Sequence, residues 1–203
     1  MSLTEFLNIR GYYLFEGNSS ENPYQTRDLI ELTHNLIKLT NKPNLHVMEI
    51  GFNAGHSAET FLKNNTQLSL VSFDLGLHNY ITASKNYIDA VYPDRHTLIL
   101  GDSRETVPRF ISENKDVKFD VIFIDGGHKY EIAKADMENC FHLAHKDTVV
   151  ILDDTVFTND WIQEWTIGPT QVWAEKIQTN QFVEFGHIDY CSGRGMAWGK
   201  YLF

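Results

Sequence analysis

Short apolar runs alternate with stretches of helical spacing through most of this chain. Val47-Met48-Glu49-Ile50, Leu68 to Phe73, Thr97 to Leu100, Asp120 to Asp125 and Thr148 to Leu152 each have the length and composition of a strand. The fourth run, Val121-Ile122-Phe123-Ile124, is continuously apolar, as a strand buried on both faces of a parallel sheet requires. Between the runs lie helical patterns: about 56 to 63, 79 to 91, 104 to 114 and 130 to 144. The last of these places Tyr130, Ala133, Met137, Cys140, Phe141 and Ala144 on one face. Before the first strand, Tyr24 to Leu39 repeats leucine at 29, 32, 36 and 39; residues 1–23 are weakly patterned and end in the polar loop Glu16 to Pro23.

This β-α rhythm predicts a doubly wound parallel sheet with right-handed crossovers. The tail breaks it. After the segment carrying Trp161 and Trp165, a helix opens at Pro169, and Phe182–Tyr190 and Met196–Phe203 read as strands joined by Cys191-Ser192-Gly193-Arg194-Gly195. That is an antiparallel hairpin at the edge, giving seven strands. The whole reads as one domain over 1–203: a helical cap (1–46), a core (47–154), and an acceptor-side helix with the hairpin (155–203).

Net charge is −10, from 27 acidic and 17 basic residues. Such a chain repels a phosphate backbone, and no Lys or Arg run offsets this, so nucleic acid is not the expected partner. No apolar run nears the ~20 residues of a membrane span, and the N-terminus, interrupted by Glu5 and Arg10, does not read as a signal peptide. Cys140 and Cys191 read as reduced packing residues. The expectation is a cytoplasmic protein without a membrane partner; edge strands and N-terminal helices are where a second copy would pair.

Ligands of open α/β sheets sit beyond the carboxyl ends of the strands. Here those ends carry Glu49 with Gly51, Asp74, Asp102-Ser103, Asp125 with His128, and Asp153-Asp154. The turn Gly51-Phe52-Asn53-Ala54-Gly55 uses glycine where positive φ or close backbone approach is wanted. Asp74, 23 positions after Gly51, stands where a carboxylate accepts ribose hydroxyls; a capping aspartate is the other reading. Asn53 and His56 occupy the second and third glycine positions of a dinucleotide fingerprint, and no Walker lysine follows, which disfavours NAD and ATP.

Glu49-x-Gly51-x-x-x-Gly55-x-Ser57, Asp74, Gly101-Asp102-Ser103, Phe123-Ile124-Asp125-Gly126-Gly127-His128 and Asp153-Asp154, taken in order, resemble class I S-adenosylmethionine-dependent methyltransferases. Within that class they are most similar to the cation-dependent O-methyltransferases of catechol, caffeoyl-CoA and macrolide-sugar type. The resemblance implies a Rossmann-like fold and S-adenosyl-L-methionine as cofactor. Glu49, Gly51, Gly55 and Ser57, with Phe52 and Asn53 between them, would line its methionine half. Asp74 would hold the ribose, Gly101, Asp102 and Ser103 would border the adenine, and Asp125 would stand on both the cofactor and metal sides. Asp125, Asp153 and Asp154 match the family's metal ligands, although Asp154 often appears there as asparagine. Three neighbouring carboxylates repel unless protonated or bridged by a cation; all-oxygen donors favour Mg²⁺, with Mn²⁺ or Ca²⁺ as alternatives.

His128 falls where the catechol enzymes carry a lysine base, and an imidazole is suited to take a hydroxyl proton; a hydrogen-bonding turn residue is the other reading. The other eight histidines read as structural. The expected reaction is cation-assisted O-methylation of a small-molecule hydroxyl. Two rivals are a metal-dependent hydrolase or hydroxylase on the same sheet, which would not bind S-adenosylmethionine, and a non-catalytic cofactor-binding protein, indifferent to loss of Asp125.

Overall fold

The computed structural model describes residues 1–15, 22–158, 163–190 and 193–203. Trp161, Cys191, Ser192 and most of the Glu16–Pro23 loop lie outside the described residues. The chain forms two compact units, Met1–Gly101 and Asp102–Phe203.

The first unit opens with helix α1 (Leu3–Ile9), which the sequence reading did not anticipate. Its start is a capping box: Ser2 accepts from the Glu5 amide while Glu5 reaches back to the Ser2 amide, so two orphan donors are satisfied. Leu3 and Leu7 are fully buried. Helix α2 (Pro23–Thr40) has Asn22 as its cap, proline at its first position, and left-handed Asn41 at its end. Leu29 and Leu36 are buried, whereas Leu39 is exposed. Strands β1 (His46–Ile50), β2 (Ser69–Asp74) and β3 (His96–Leu100) run parallel in the order 3-2-1, with Glu49 opposite Ser72 and Asp74 opposite Leu100. Helices α3 (His56–Asn64) and α4 (Ile81–Val91) connect them.

The second unit contains helix α5 (Ser103–Glu113), strand β4 (Phe119–Ile124), helix α6 (Tyr130–Phe141), strand β5 (Ala144–Thr155), helix α7 (Ile167–Gln178), and strands β6 (Phe182–Tyr190) and β7 (Arg194–Tyr201). β4 is buried at every position, as its apolar run requires. It pairs in parallel with β5; β7 lies antiparallel to β5, and β6 antiparallel to β7. Seven strands, with the hairpin last, are thus present among the described residues.

Ala144, expected on a helix, instead opens β5. The helix closes through turns from His142 to Asn139 and Leu143 to Cys140, after which Ala144 pairs with Phe119. β5 also runs past Leu152, because β7 gives Asp153 and Thr155 partners in Met196 and Gly195. Asp154 is the unpaired residue of that bulge, with φ of 56°. Aspartate and asparagine tolerate this left-handed conformation better than other non-glycine residues. Among the described residues no helix is long and apolar enough to cross a membrane.

Candidate active site

In the first unit the β1 strand ends in a turn that needs three left-handed residues: Gly51 (φ 101°), Asn53 (φ 47°) and Gly55 (φ 84°). A Cβ on Gly55 would sit 2.9 Å from Phe52 Cζ, so glycine is required there on both counts. The Gly51 amide donates to Phe73 O (2.8 Å), tying the turn to β2. Asp74 completes the tie: Oδ2 accepts the Asn53 amide at 2.7 Å and Oδ1 the Gly76 amide at 2.8 Å. Each carboxylate oxygen has a second lone pair, so two accepted backbone bonds leave acceptor capacity for hydroxyl groups. The Gly101 amide donates to Asp74 O (2.8 Å), and Tyr80 donates its hydroxyl to Asn53 Oδ1 (2.6 Å). The unit therefore brings Gly51, Asn53, Asp74 and Gly101 together.

Glu49 lies beneath this turn and is fully buried. Ser72 donates to its Oε1 (2.6 Å) and Ser57 to its Oε2 (2.7 Å). Desolvation raises its pKa to about 7, against the pull of the two serine hydrogen bonds and with a smaller push from Asp74. Ser72 Oγ also lies 2.7 Å from His96 Nε2. Burial, followed by the Lys85 charge, lowers the His96 pKa to about 4, so its imidazole is neutral at pH 7. With Glu49 ionised, the single Ser72 proton is committed to the carboxylate and Nε2–H of His96 must donate to Ser72. Phe52, 1 % exposed, stacks on the same imidazole at 5.1 Å. Glu49, Phe52 and Ser57 thus act from below the turn. The sequence reading grouped His96 with the structural histidines and missed its place in this chain; only the β1–β2–β3 register reveals it.

In the second unit Asp102 is the N-cap of α5, accepting the Arg104 amide (2.9 Å) and forking with the Arg104 guanidinium (Nη2–Oδ2 2.6 Å). Hydrogen bonding from Arg104 holds its carboxyl below the usual range. Ser103, next in the chain, opens α5; in α6 Asp136 is a fully buried carboxyl that burial raises to about 7, and neither of its oxygens has a hydrogen-bond partner among the described residues. Asp136 had no place in the sequence reading, because it falls on the face defined by Ala133, Met137 and Cys140.

β4 delivers Asp125, and the Gly126-Gly127 turn carries the chain to His128. A Cβ on Gly127 would approach Ile132 to 2.9 Å, and one on Gly168, at the start of α7, would fall 2.2 Å from His128 O. That second glycine lets α7 abut the His128 loop. Asp125, His128 and Asp154 each offer one donor atom, and these atoms lie within 4.8 Å of one another. His128 Nε2 is 2.9 Å from Asp154 Oδ2. Asp154 Oδ1 is buried, accepts no hydrogen bond, and faces Arg194 Nη1 at 3.7 Å. Asp153 is 2 % exposed. Burial pulls the Arg194 pKa down, but Asp153, Asp154 and Asp125 outweigh it and leave the group above its ordinary value. Trp165, 42 % exposed, presents its ring 6.5 Å from that of His128. The converging set is thus Asp125, His128 and Asp154, whereas the sequence reading took Asp125, Asp153 and Asp154 as metal ligands with His128 beside them as the base.

Residues 48–155 match the family model of a methyltransferase domain. A stretch of 98 residues is 32 % identical to the uncharacterized protein y4gI of Sinorhizobium fredii, covering 48 % of this chain; the match spans only a tenth of that relative's length. The structure is similar to an O-methyltransferase of Bacillus cereus in complex with SAH (TM-score 0.74, 18 % identity, 97 % of this chain and 89 % of that one). It is also similar to TomG of Streptomyces achromogenes, an O-methyltransferase of tomaymycin synthesis in complex with SAM (TM-score 0.69, 14 %, 98 % and 87 %). A third likeness is to CalS11, a TDP-rhamnose 3'-O-methyltransferase of calicheamicin biosynthesis (TM-score 0.65, 22 %, 88 % and 80 %). At these identities the likenesses establish the Rossmann-like α/β fold.

Proposed function

Because the chain belongs to the methyltransferase domain family, we propose that it is a cytoplasmic enzyme transferring the methyl group of S-adenosylmethionine to a hydroxyl oxygen of a small molecule. When bound, the cofactor supplies an electrophilic methyl group on a sulfonium sulfur; the products are a methyl ether, a proton and S-adenosylhomocysteine. The observation that carries the reading is the lock of Asp74 onto the glycine turn at 2.7 Å, within the segment that matches the family. Asp74 spends one lone pair of each oxygen on the backbone and offers the others to the ribose hydroxyls. Gly51, Asn53 and Gly55 border the methionine half, while Glu49, Phe52 and Ser57 hold the turn from beneath. Gly101, Asp102 and Ser103 border the adenine.

His128 is the base. Its Nε2 donates to Asp154 Oδ2 (2.9 Å), which fixes the tautomer, orients the ring and leaves Nδ1 to take the hydroxyl proton. Asp154 then stabilises the imidazolium that forms. Trp165, beside the imidazole, walls the acceptor side.

The cluster also fits a divalent cation, since donor atoms of Asp125, His128 and Asp154, one from each, lie within 4.8 Å of one another and the buried Asp154 Oδ1 accepts no hydrogen bond. Asp125, Asp153 and Asp154 would hold Mg²⁺, Mn²⁺ or Ca²⁺, which would lower the pKa of an acceptor hydroxyl.

The test is formation of S-adenosylhomocysteine, followed by mass spectrometry, across catechol, phenylpropanoid and nucleotide-sugar acceptors, with and without a chelator. A methylated product from at least one acceptor supports the reading. Hydrolysis of an ester or phosphate without S-adenosylhomocysteine would replace it with the hydrolase reading. Full activity in chelator would remove the cation alone.

A further inference from the structure

Arg194 is the first residue of β7, paired with Tyr190 across the hairpin and followed by Gly195, where an added Cβ would meet Ile188 O at 2.2 Å and Thr155 O at 2.6 Å. Backbone contact this close pins the start of β7 beside the Asp154 bulge. The Arg194 side chain is 18 % exposed and turned toward Asp154, the acid that also holds His128. At 3.7 Å the contact is an ion pair without a hydrogen bond, so Asp154 Oδ1 is compensated in charge but not in hydrogen bonding. That is a poor resting arrangement for a buried carboxylate, which ordinarily accepts hydrogen bonds or binds a metal.

Charge counting gives the same conclusion. Asp125, Asp153 and Asp154 carry three negative charges when ionised, and Arg194 supplies one positive. The remainder is two, so the cluster stays anionic beside its own arginine and still attracts a divalent ion. A guanidinium this near a carboxylate oxygen also opposes any cation approaching that oxygen, because like charges at such separations repel strongly in a half-buried setting. The same side chain therefore stabilises the cluster without an ion and resists the ion's entry.

We propose that Arg194 is the resident counter-ion of the acidic cluster, and that a divalent cation binds by displacing its guanidinium from Asp154. This rests on the cation reading above and extends it: ion binding becomes an exchange of one cation for another on a single carboxylate oxygen. The β7 start keeps the displaced arginine beside the acceptor side, where it becomes a donor for an anionic or hydroxyl-bearing substrate.

The test uses the full chain without cofactor, titrated with Mn²⁺ while free Mn²⁺ is followed by electron paramagnetic resonance. Arg194→Gln removes the charge and Arg194→Lys keeps it. The expected result is at least ~10-fold tighter Mn²⁺ binding in Arg194→Gln, with Arg194→Lys close to the parent. Thermal melts supply a second readout: without metal Arg194→Gln melts below the parent, and Mn²⁺ raises its melting temperature by more than it raises the parent's. Equal or weaker Mn²⁺ binding in Arg194→Gln overturns the proposal, and so does the absence of Mn²⁺ binding to parent and variants alike at millimolar concentration. A parallel titration with S-adenosylmethionine separates this failure from that of the methyl-transfer reading, because cofactor binding does not depend on Arg194.

Discussion

Replacing Glu49 by glutamine is expected to change how stability depends on pH, and the structure sets the size of the change. Glu49 is fully enclosed, and desolvation raises its pKa from an ordinary 4.5 to about 7. Between those values the folded protein keeps a proton that the unfolded chain has released, so raising the pH through this window favours unfolding. Each tenfold in proton affinity is worth about 1.4 kcal/mol, and most of the interval lies between pH 5 and pH 8, which gives about 2–3 kcal/mol. Glutamine preserves the shape, accepts from one serine and donates to the other, and does not ionise. His56 and His96, both lowered to about 4 chiefly by burial, give slopes of the opposite sign between about pH 4 and 6.5, and Asp136 gives one of the same sign as Glu49. Those contributions are common to both proteins and cancel in the difference. Urea unfolding at pH 5 and pH 8 should therefore show the parent losing about 2–3 kcal/mol relative to Glu49→Gln on going up in pH. Parallel stability curves for the two proteins would refute the argument that Glu49 ionises at a cost beneath the turn.

Three further outcomes follow from the same geometry. His128→Asn should lower kcat by about 10²–10⁴-fold while leaving S-adenosylmethionine affinity unchanged, measured by steady-state kinetics beside calorimetry. Asp74→Ala removes the acceptor of the Asn53 and Gly76 amides as well as the ribose partner, and calorimetry should show cofactor binding weakened by about 1–3 kcal/mol. Gly168→Ala places a Cβ 2.2 Å from His128 O, so the loop must move; a loss of about 1–3 kcal/mol in stability with a disproportionate fall in kcat is expected, from melts and rates together.

Much of the fold was legible in the chain because buried parallel strands write themselves as apolar runs: Val121 to Ile124 is buried along its whole length, as its composition demands. The glycine turn was legible for a similar reason, since Gly51 and Gly55 take the positive φ their type suggests. Helix α1 was missed although Ser2 and Glu5 spell a capping box; seven residues with two buried leucines make a weak period. The end of α6 was misread because Ala144 suits either state, and only pairing with Phe119 decides it. The strand ends that carry the candidate site were legible, but the linkages among its residues were not. Nothing local in the sequence joins His96 to Ser72 or Arg194 to Asp154; strand register makes the first pair, and a bulge opposite β7 makes the second. Asp136 was hidden because a lone acid among apolar helix positions looks like a surface residue until its neighbours close over it.

The central claim is that the turn from Gly51 to Gly55, clasped by Asp74, is built for S-adenosylmethionine rather than for a dinucleotide or ATP. Calorimetric titration of the purified chain with S-adenosylhomocysteine, NAD and ATP in parallel tests it most directly. One-to-one binding of S-adenosylhomocysteine at micromolar concentration, with no heat from the other two, is the predicted result. Binding of NAD or ATP with S-adenosylhomocysteine silent would contradict it.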